Sequence, residues 1–127
     1  MTDKQVLIPG PDHPITVEPS GQHVVVTFAG RTIADTRGAL ALSEANHPAI
    51  YYIPRADADL SALERTEHES YCPYKGDAAY YSIRAEDGPG ENLVWTYERP
   101  YPAVAEIKDH LAFYPDRVDV VAQPEQT

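Results

Sequence analysis

Alternation of apolar and polar positions organises the chain between residues 15 and 121. Ile15-Thr16-Val17-Glu18 alternates, as a strand with one buried face does, and Pro19-Ser20-Gly21 then turns the chain. His23-Val24-Val25-Val26-Thr27-Phe28 is rich in β-branched residues. The tight turn Ala29-Gly30-Arg31 and the return Thr32-Ile33-Ala34 complete a hairpin. Ala39-Leu40-Ala41-Leu42 fits a strand better than a helix, and Ala49-Ile50-Tyr51-Tyr52-Ile53 is a strand bracketed by Pro48 and Pro54. Farther on, Ala78 to Arg84 and Leu93 to Glu98 form a second hairpin about the turn Glu86-Asp87-Gly88-Pro89-Gly90. Leu111-Ala112-Phe113-Tyr114 and Val118-Asp119-Val120 form a third, about Pro115-Asp116-Arg117.

Two segments depart from this period. Asp59-Leu60-Ser61-Ala62-Leu63-Glu64-Arg65 has helical composition, with Asp59 as N-cap and Ser61 with Glu64 in a capping-box pattern. Pro102 to Ile107 reads as a second short helix, with its proline in the first turn. The segment SYCPYKG, from Ser70 to Gly76, is irregular. Twelve prolines are too many for a helical bundle, since each removes a donor and fixes φ. The expectation is a mainly β domain: about eight short antiparallel strands, as a barrel or two packed sheets, with two short helices. Residues 1–14, with three prolines and the isolated Val6-Leu7-Ile8, read as a mobile arm able to dock through that cluster. Residues 15–121 form the single domain, and 122–127 form a polar tail.

Composition narrows the functional classes. At 127 residues the chain is the size of one domain and buries enough surface to fold without disulfides. Ten Lys and Arg against twenty Asp and Glu give a net charge of −10. That argues against nucleic acid and anionic membrane as main partners, because phosphate binding needs clustered positive charge. A single cysteine excludes an internal disulfide and any multi-cysteine metal site. With no membrane-length apolar run and no signal-peptide pattern, the expected location is the cytoplasm.

Candidate chemistry gathers in the second half. Cys72 stands three residues before Lys75, a cation able to favour its thiolate, and His68 is available as a base if the chain folds back. A free cysteine more often simply packs. Lys75, between Tyr74 and Gly76, sits where a loop approaches a ligand closely; it suits an anion or a pairing with Glu98, and the plain alternative is a solvated lysine. His47, His68, Cys72 and His110 lack the spacing of a metal site, so no metal or other cofactor is expected. Tyr71, Tyr74, Tyr80, Tyr81, Tyr97, Tyr101 and Tyr114 accompany Trp95, as a β core with its rim, a ligand cleft or a dimer face. Asp77, Glu98 and Asp109 are available carboxylates, and Glu98 ends a strand just before Arg99-Pro100.

Three ordered stretches resemble a known family. They are Cys72-Pro73-Tyr74-Lys75-Gly76-Asp77-Ala78-Ala79-Tyr80-Tyr81-Ser82, then Val94-Trp95-Thr96-Tyr97-Glu98-Arg99-Pro100-Tyr101-Pro102, then Ile107 through Ala112-Phe113-Tyr114-Pro115-Asp116-Arg117-Val118. Their order and spacing look like the domain-of-unknown-function family numbered 427, over roughly residues 15–121. The resemblance implies a small, mostly β domain, similar to tent-like folds of two nearly orthogonal sheets. Several such domains hold zinc through two CxxC pairs, which one cysteine excludes here. A nucleotidyltransferase label attached to the family implies clustered carboxylates holding Mg²⁺, a pattern this sequence does not display. Where the family leads one to expect glycine, this chain has Asp109.

The resemblance raises Cys72, Tyr74, Lys75, Gly76, Trp95, Tyr97 and Glu98 together. They are expected to form one cleft between the CPYKG loop and the end of the WxYExP strand. Lys75 would supply positive charge, Glu98 the counter-charge, and Tyr74 or Trp95 an aromatic wall. The first functional expectation is a binding site for a small polar or anionic ligand. The second is an enzyme using Cys72 or Lys75 as nucleophile with Glu98 or His68 as proton carrier. The third is an interaction module without catalysis, whose exposed aromatic face makes a homodimer; the chain is accordingly expected as a monomer or a homodimer.

Overall fold

The computed structural model describes residues 5–85 and 90–124. Ten strands run in order: β1 (Ile15–Pro19), β2 (Gln22–Phe28), β3 (Arg31–Thr36), β4 (Leu40–Glu44), β5 (Ile50–Pro54), β6 (Leu63–Cys72), β7 (Gly76–Ile83), β8 (Gly90–Thr96), β9 (His110–Phe113) and β10 (Asp119–Pro124). They form two antiparallel sheets, one of seven strands in the order β1-β4-β5-β9-β8-β7-β6 and one of three in the order β10-β2-β3. Neither sheet closes into a barrel, since each keeps two edge strands. Among the described residues no helix is long and apolar enough to cross a membrane.

The valine pattern of β2 explains the packing of the small sheet. Val24 and Val26 point inward and are fully buried, while β3 supplies Ile33 and Ala34. These meet Ile53, Tyr81, Ile83, Val94, Leu111 and Phe113 of the large sheet to form the first core. The opposite face of the large sheet carries a second core of Leu42, Tyr52, Ala78, Tyr80, Tyr97 and Ala112. It is roofed by Val104 and Ile107 of the turn Pro102–Ile107. Strand β7 therefore has both faces covered, which is why Ala78 through Ile83 are buried without a break.

Several expectations change here. The segment from Asp59 is one 3-10 turn (Leu60–Ala62) that runs directly into β6. Asp59 does cap it, accepting from the Ser61 N–H at 3.1 Å, but Glu64 lies in the strand and no capping box forms. Pro102–Ile107 is also of the 3-10 type, interrupted at Val104. The third hairpin does not form. β9 pairs with β5 and β8, whereas β10 crosses to the small sheet and pairs with β2. The hairpin of β2 and β3 forms as expected, and β7 pairs with β8. The turn between these last two, at 86–89, lies outside the described residues. Residues 122–124, read as tail, continue β10.

Candidate functional site

The CPYKG loop joins β6 to β7. Cys72 and Gly76 face each other in register, and the Lys75 N–H donates to the Cys72 carbonyl at 3.1 Å, closing a tight turn. Gly76 adopts φ +109°, and a Cβ there would stand 3.3 Å from the Arg99 carbonyl oxygen. The missing side chain lets the loop lie against residues 99–101, where the Tyr101 N–H donates to the Lys75 carbonyl at 3.0 Å. Two of the three motifs thus meet through their backbones.

Their side chains diverge. Lys75 Nζ donates to Glu44 Oε1 at 2.5 Å, with only 12% and 19% of the two side chains exposed. Glu44 ends β4 and takes a second partner, His13 Nε2, at 2.7 Å. The His13 ring lies flat on Tyr74, with centroids 4.2 Å apart and planes 7° apart. Burial pushes the Glu44 carboxyl up, but the hydrogen bonds and charges of Lys75 and His13 outweigh it and hold the group below its ordinary value of 4.5.

The N-terminal segment supplies His13 by lying across this loop. The Leu7 N–H donates to the Pro73 carbonyl at 2.9 Å, and Tyr71 Oη donates to the Gln5 carbonyl at 2.5 Å. Val6 and Ile8 stay largely exposed. Of the apolar cluster that suggested docking, Leu7 is the half-buried member, and it lies among the polar and backbone contacts that hold the segment.

Glu98 sits elsewhere. Its carboxylate takes two hydrogen bonds from Arg65, Nη1 to Oε2 at 2.7 Å and Nη2 to Oε1 at 3.0 Å. Those bonds, with the charges of Arg65, Arg55 and Arg99, hold the Glu98 carboxyl below its ordinary value despite an opposing effect of burial. Arg55 Nη1 also donates to Tyr81 Oη at 3.0 Å. Together Arg65, Glu69, Asp77, Ala78, Ala79, Glu98 and Arg99 line a groove of about 290 Å³.

The expected pairing of Lys75 with Glu98 is thereby corrected. Glu44 shares the face of Leu42, which belongs to the second core; Arg65 stands opposite Tyr81, which belongs to the first. Lys75 and Glu98 take their partners on opposite faces of the large sheet, so the two do not line one cleft. The loop backbone presses on residues 99–101 while the lysine side chain turns to the acid that ends β4.

Other candidates fall apart in the same way. His68 is exposed and meets Tyr80 edge-on at 4.5 Å. Four residues along one strand place it roughly 13 Å from Cys72, too far for a base acting on that thiol. Trp95 and Tyr97 belong to the second core. Trp95 Nε1 donates to Tyr52 Oη at 3.3 Å and its ring packs on Tyr114 at 4.6 Å. Burial raises the Tyr52 and Tyr97 hydroxyls well above their ordinary range. Cys72 is half-buried against the same cluster. His13, Glu44 and Arg65 were not singled out by the sequence: no spacing links residues 31 apart, as His13–Glu44 and Glu44–Lys75 are.

The family model described as Domain of unknown function (DUF427) matches residues 16–124. The chain belongs to that family. No curated protein matches it. The match starts inside β1 and ends with β10, so it spans both sheets of this DUF427 domain, the CPYKG loop and the Arg65–Glu98 groove. Glu44, Tyr74 and Lys75 lie within it, and His13 lies before it. Among the described residues no three His, Cys, Asp or Glu side chains gather as metal ligands.

Proposed function

We propose that this DUF427 domain binds a small polar or anionic ligand in the groove behind the CPYKG loop, between Arg65 and Arg99. The observation that carries this reading is the charged lining itself: Arg65 and Arg99 stand among Glu69, Asp77 and Glu98, and Glu98 holds Arg65 by two hydrogen bonds. A guanidinium offers five donors; Glu98 engages two of those of Arg65, and Tyr81 takes a further side-chain hydrogen bond from it. The rest suit a second carboxylate or a phosphate, the groups Arg binds two-pronged. Glu98 then holds the arginines in place and competes with an anionic ligand for them. Ala79, which shares its face of β7 with Asp77 and Tyr81, adds only a methyl to the lining and leaves room for the ligand body.

The test is arginine side-chain NMR with inorganic phosphate as probe. Saturable shifts of the Arg65 and Arg99 Nε–Hε signals at millimolar phosphate are expected. Binding should tighten in Glu98→Gln, which removes the competitor, and vanish in Arg99→Ala. Linear or absent shifts in both the wild type and Glu98→Gln would overturn the reading.

A further inference from the structure

The other face of the large sheet carries a second arrangement that the groove does not use. Glu44, Lys75, Tyr74 and His13 form it, and three of the four belong to the folded domain while His13 arrives on the N-terminal segment. The three domain residues make a defined receptor. Tyr74 offers an aromatic face, the Glu44 carboxylate meets a nitrogen of the ring stacked on that face, and Lys75 holds the other oxygen of the carboxylate. Lys75 and Glu44 are mostly buried, so the receptor is preorganised and not a chance meeting of surface chains. The guest is a planar five-membered nitrogen ring, stacked flat on the tyrosine and pointing one nitrogen at the carboxylate, 2.7 Å away.

We propose that Tyr74, Glu44 and Lys75 form a binding site for a small planar nitrogen heterocycle, and that His13 occupies it as a built-in, displaceable guest. The chemistry identifies the class. An aromatic face with a carboxylate beside the ring that stacks on it selects a ligand with an N–H donor and a flat face, as imidazole-type and amino-substituted heterocycles have. A saturated amine fails the stacking, and an anion fails against Glu44.

The attachment of the guest fits displacement. The Ala45 N–H donates to the Pro14 carbonyl at 2.8 Å and anchors the segment immediately after His13. Before it, the Leu7–Pro73 and Tyr71–Gln5 bonds hold residues 5–7, while Val6 and Ile8 are 52% and 80% exposed. Val6 and Ile8 add little to the docked area, and the apolar surface that docking covers is the half-buried Leu7 and Pro9 with the stacked His13 ring, none of which belongs to either core. Swinging out about Pro14 would open the Tyr74 face and leave both sheets intact. An intramolecular guest competes at high effective concentration, so an outside ligand must bind the vacated site tightly or be abundant.

The experiment uses the full chain with imidazole as probe, at a pH where imidazole is mostly neutral. In His13→Gly, the Tyr74 ring signals should shift saturably with imidazole and Tm should rise. The wild type should need a markedly higher concentration for the same shift. Adding Tyr74→Ala to His13→Gly should abolish the saturable shift. As a second readout that needs no variant, saturating imidazole should speed hydrogen exchange at the Leu7 amide of the wild type, because the segment leaves. Equal, unsaturable responses in the wild type, His13→Gly and the double variant would overturn the proposal. So would an unchanged Leu7 exchange rate at an imidazole concentration that saturates Tyr74.

Discussion

Lys75 reaches across the second face of the large sheet to Glu44, 31 residues earlier, and not to Glu98. The backbone of its loop nevertheless rests on the segment that carries Glu98, through the Tyr101–Lys75 hydrogen bond. One loop therefore serves two faces. Its glycine fixes the wall of the Arg65–Glu98 groove, and its lysine braces the Glu44–Tyr74 receptor. A change to the loop backbone should disturb both sites, whereas a change to the lysine head should disturb only one.

The Glu44–Lys75 pair gives a pH prediction. The Glu44 carboxyl titrates below its unfolded value of 4.5 in the folded chain. Its stabilising contribution is complete above that unfolded value and disappears as pH falls through the lower folded one. In that window the unfolded chain holds more protons, so stability rises with pH. Asp59 and Glu98 are lowered too, so the wild-type curve sums several groups. The readable quantity is the stability difference between wild type and Glu44→Gln, followed by urea unfolding from about pH 6 to about pH 3. It should shrink toward acid, and a constant difference would show that Glu44 does not titrate as its surroundings dictate. Lys75→Met at neutral pH should cost about 1–3 kcal/mol, because a mostly buried carboxylate loses its main donor.

The Arg65–Glu98 pair should matter far less to stability. Its side chains are 52% and 45% exposed, so solvent and salt screen the attraction despite the two-pronged geometry. A double-mutant cycle on Arg65→Ala and Glu98→Gln should return a coupling of about 0.5–1 kcal/mol that fades in added salt. A much larger coupling would mean the pair is a structural brace, which would weaken the case for a groove whose arginines are free to engage a ligand.

The fold was legible where one face of a strand is buried. In β2 the valines alternate between the buried face, Val24 and Val26, and the other face, Val25, and the Ala29-Gly30 turn is local, so the hairpin with β3 could be read directly. β6 could not. Its sequence LERTEHESYC has good helix formers and no apolar alternation, because it is an edge strand exposed on most of its length. What makes it a strand is the ladder to β7, a tertiary effect that overrides local preference. β10 failed similarly: residues 115–117 carry the signs of a hairpin turn, yet Val118 is buried in the first core just before β10, and Val120 and Ala122 pack on that core from the small sheet. The candidate site was legible as motifs but not as pairs. Cys72 through Gly76 and Trp95 through Pro100 do meet at the backbone, but which acid Lys75 takes depends on where β4 ends. No property of Glu44 itself announces that.

Gly76 should tolerate no side chain. At φ +109° an L-residue is strained whatever the space, and a Cβ would crowd the Arg99 carbonyl, which is backbone and cannot rotate aside. Gly76→Ala should lose about 2 kcal/mol, the usual order for a residue forced into such a conformation. The loop should lift from residues 99–101, so the Tyr101 amide should exchange faster than in the wild type, while amides of β2 and β3, in the other sheet, change only as far as global stability does. A Gly76→Ala protein with wild-type stability and Tyr101 protection would show that the loop rests on these residues without depending on them.

Asp109 offers the converse case. It joins the Pro102–Ile107 turn to β9 with φ +59°, the left-handed conformation in which glycine is at ease and aspartate is tolerated. Its carbonyl accepts the Arg55 N–H at 3.3 Å, a backbone bond that any residue keeps. Asp109→Gly relieves the Cβ penalty but adds freedom to the unfolded chain, so the two effects partly offset. The relief, about 1–2 kcal/mol at a left-handed residue, exceeds the entropy that glycine adds, about 0.5–1 kcal/mol. The net gain should be about 0.5–1 kcal/mol, seen as a Tm higher by about 2–4 °C. Asp109→Ala, which keeps the Cβ and loses the local hydrogen-bonding capacity of the carboxylate, should fall below the wild type. If Asp109→Gly melts lower instead, the carboxylate supplies a contact worth more than the backbone strain, and the departure from glycine at this position is itself a stabilising feature of the chain.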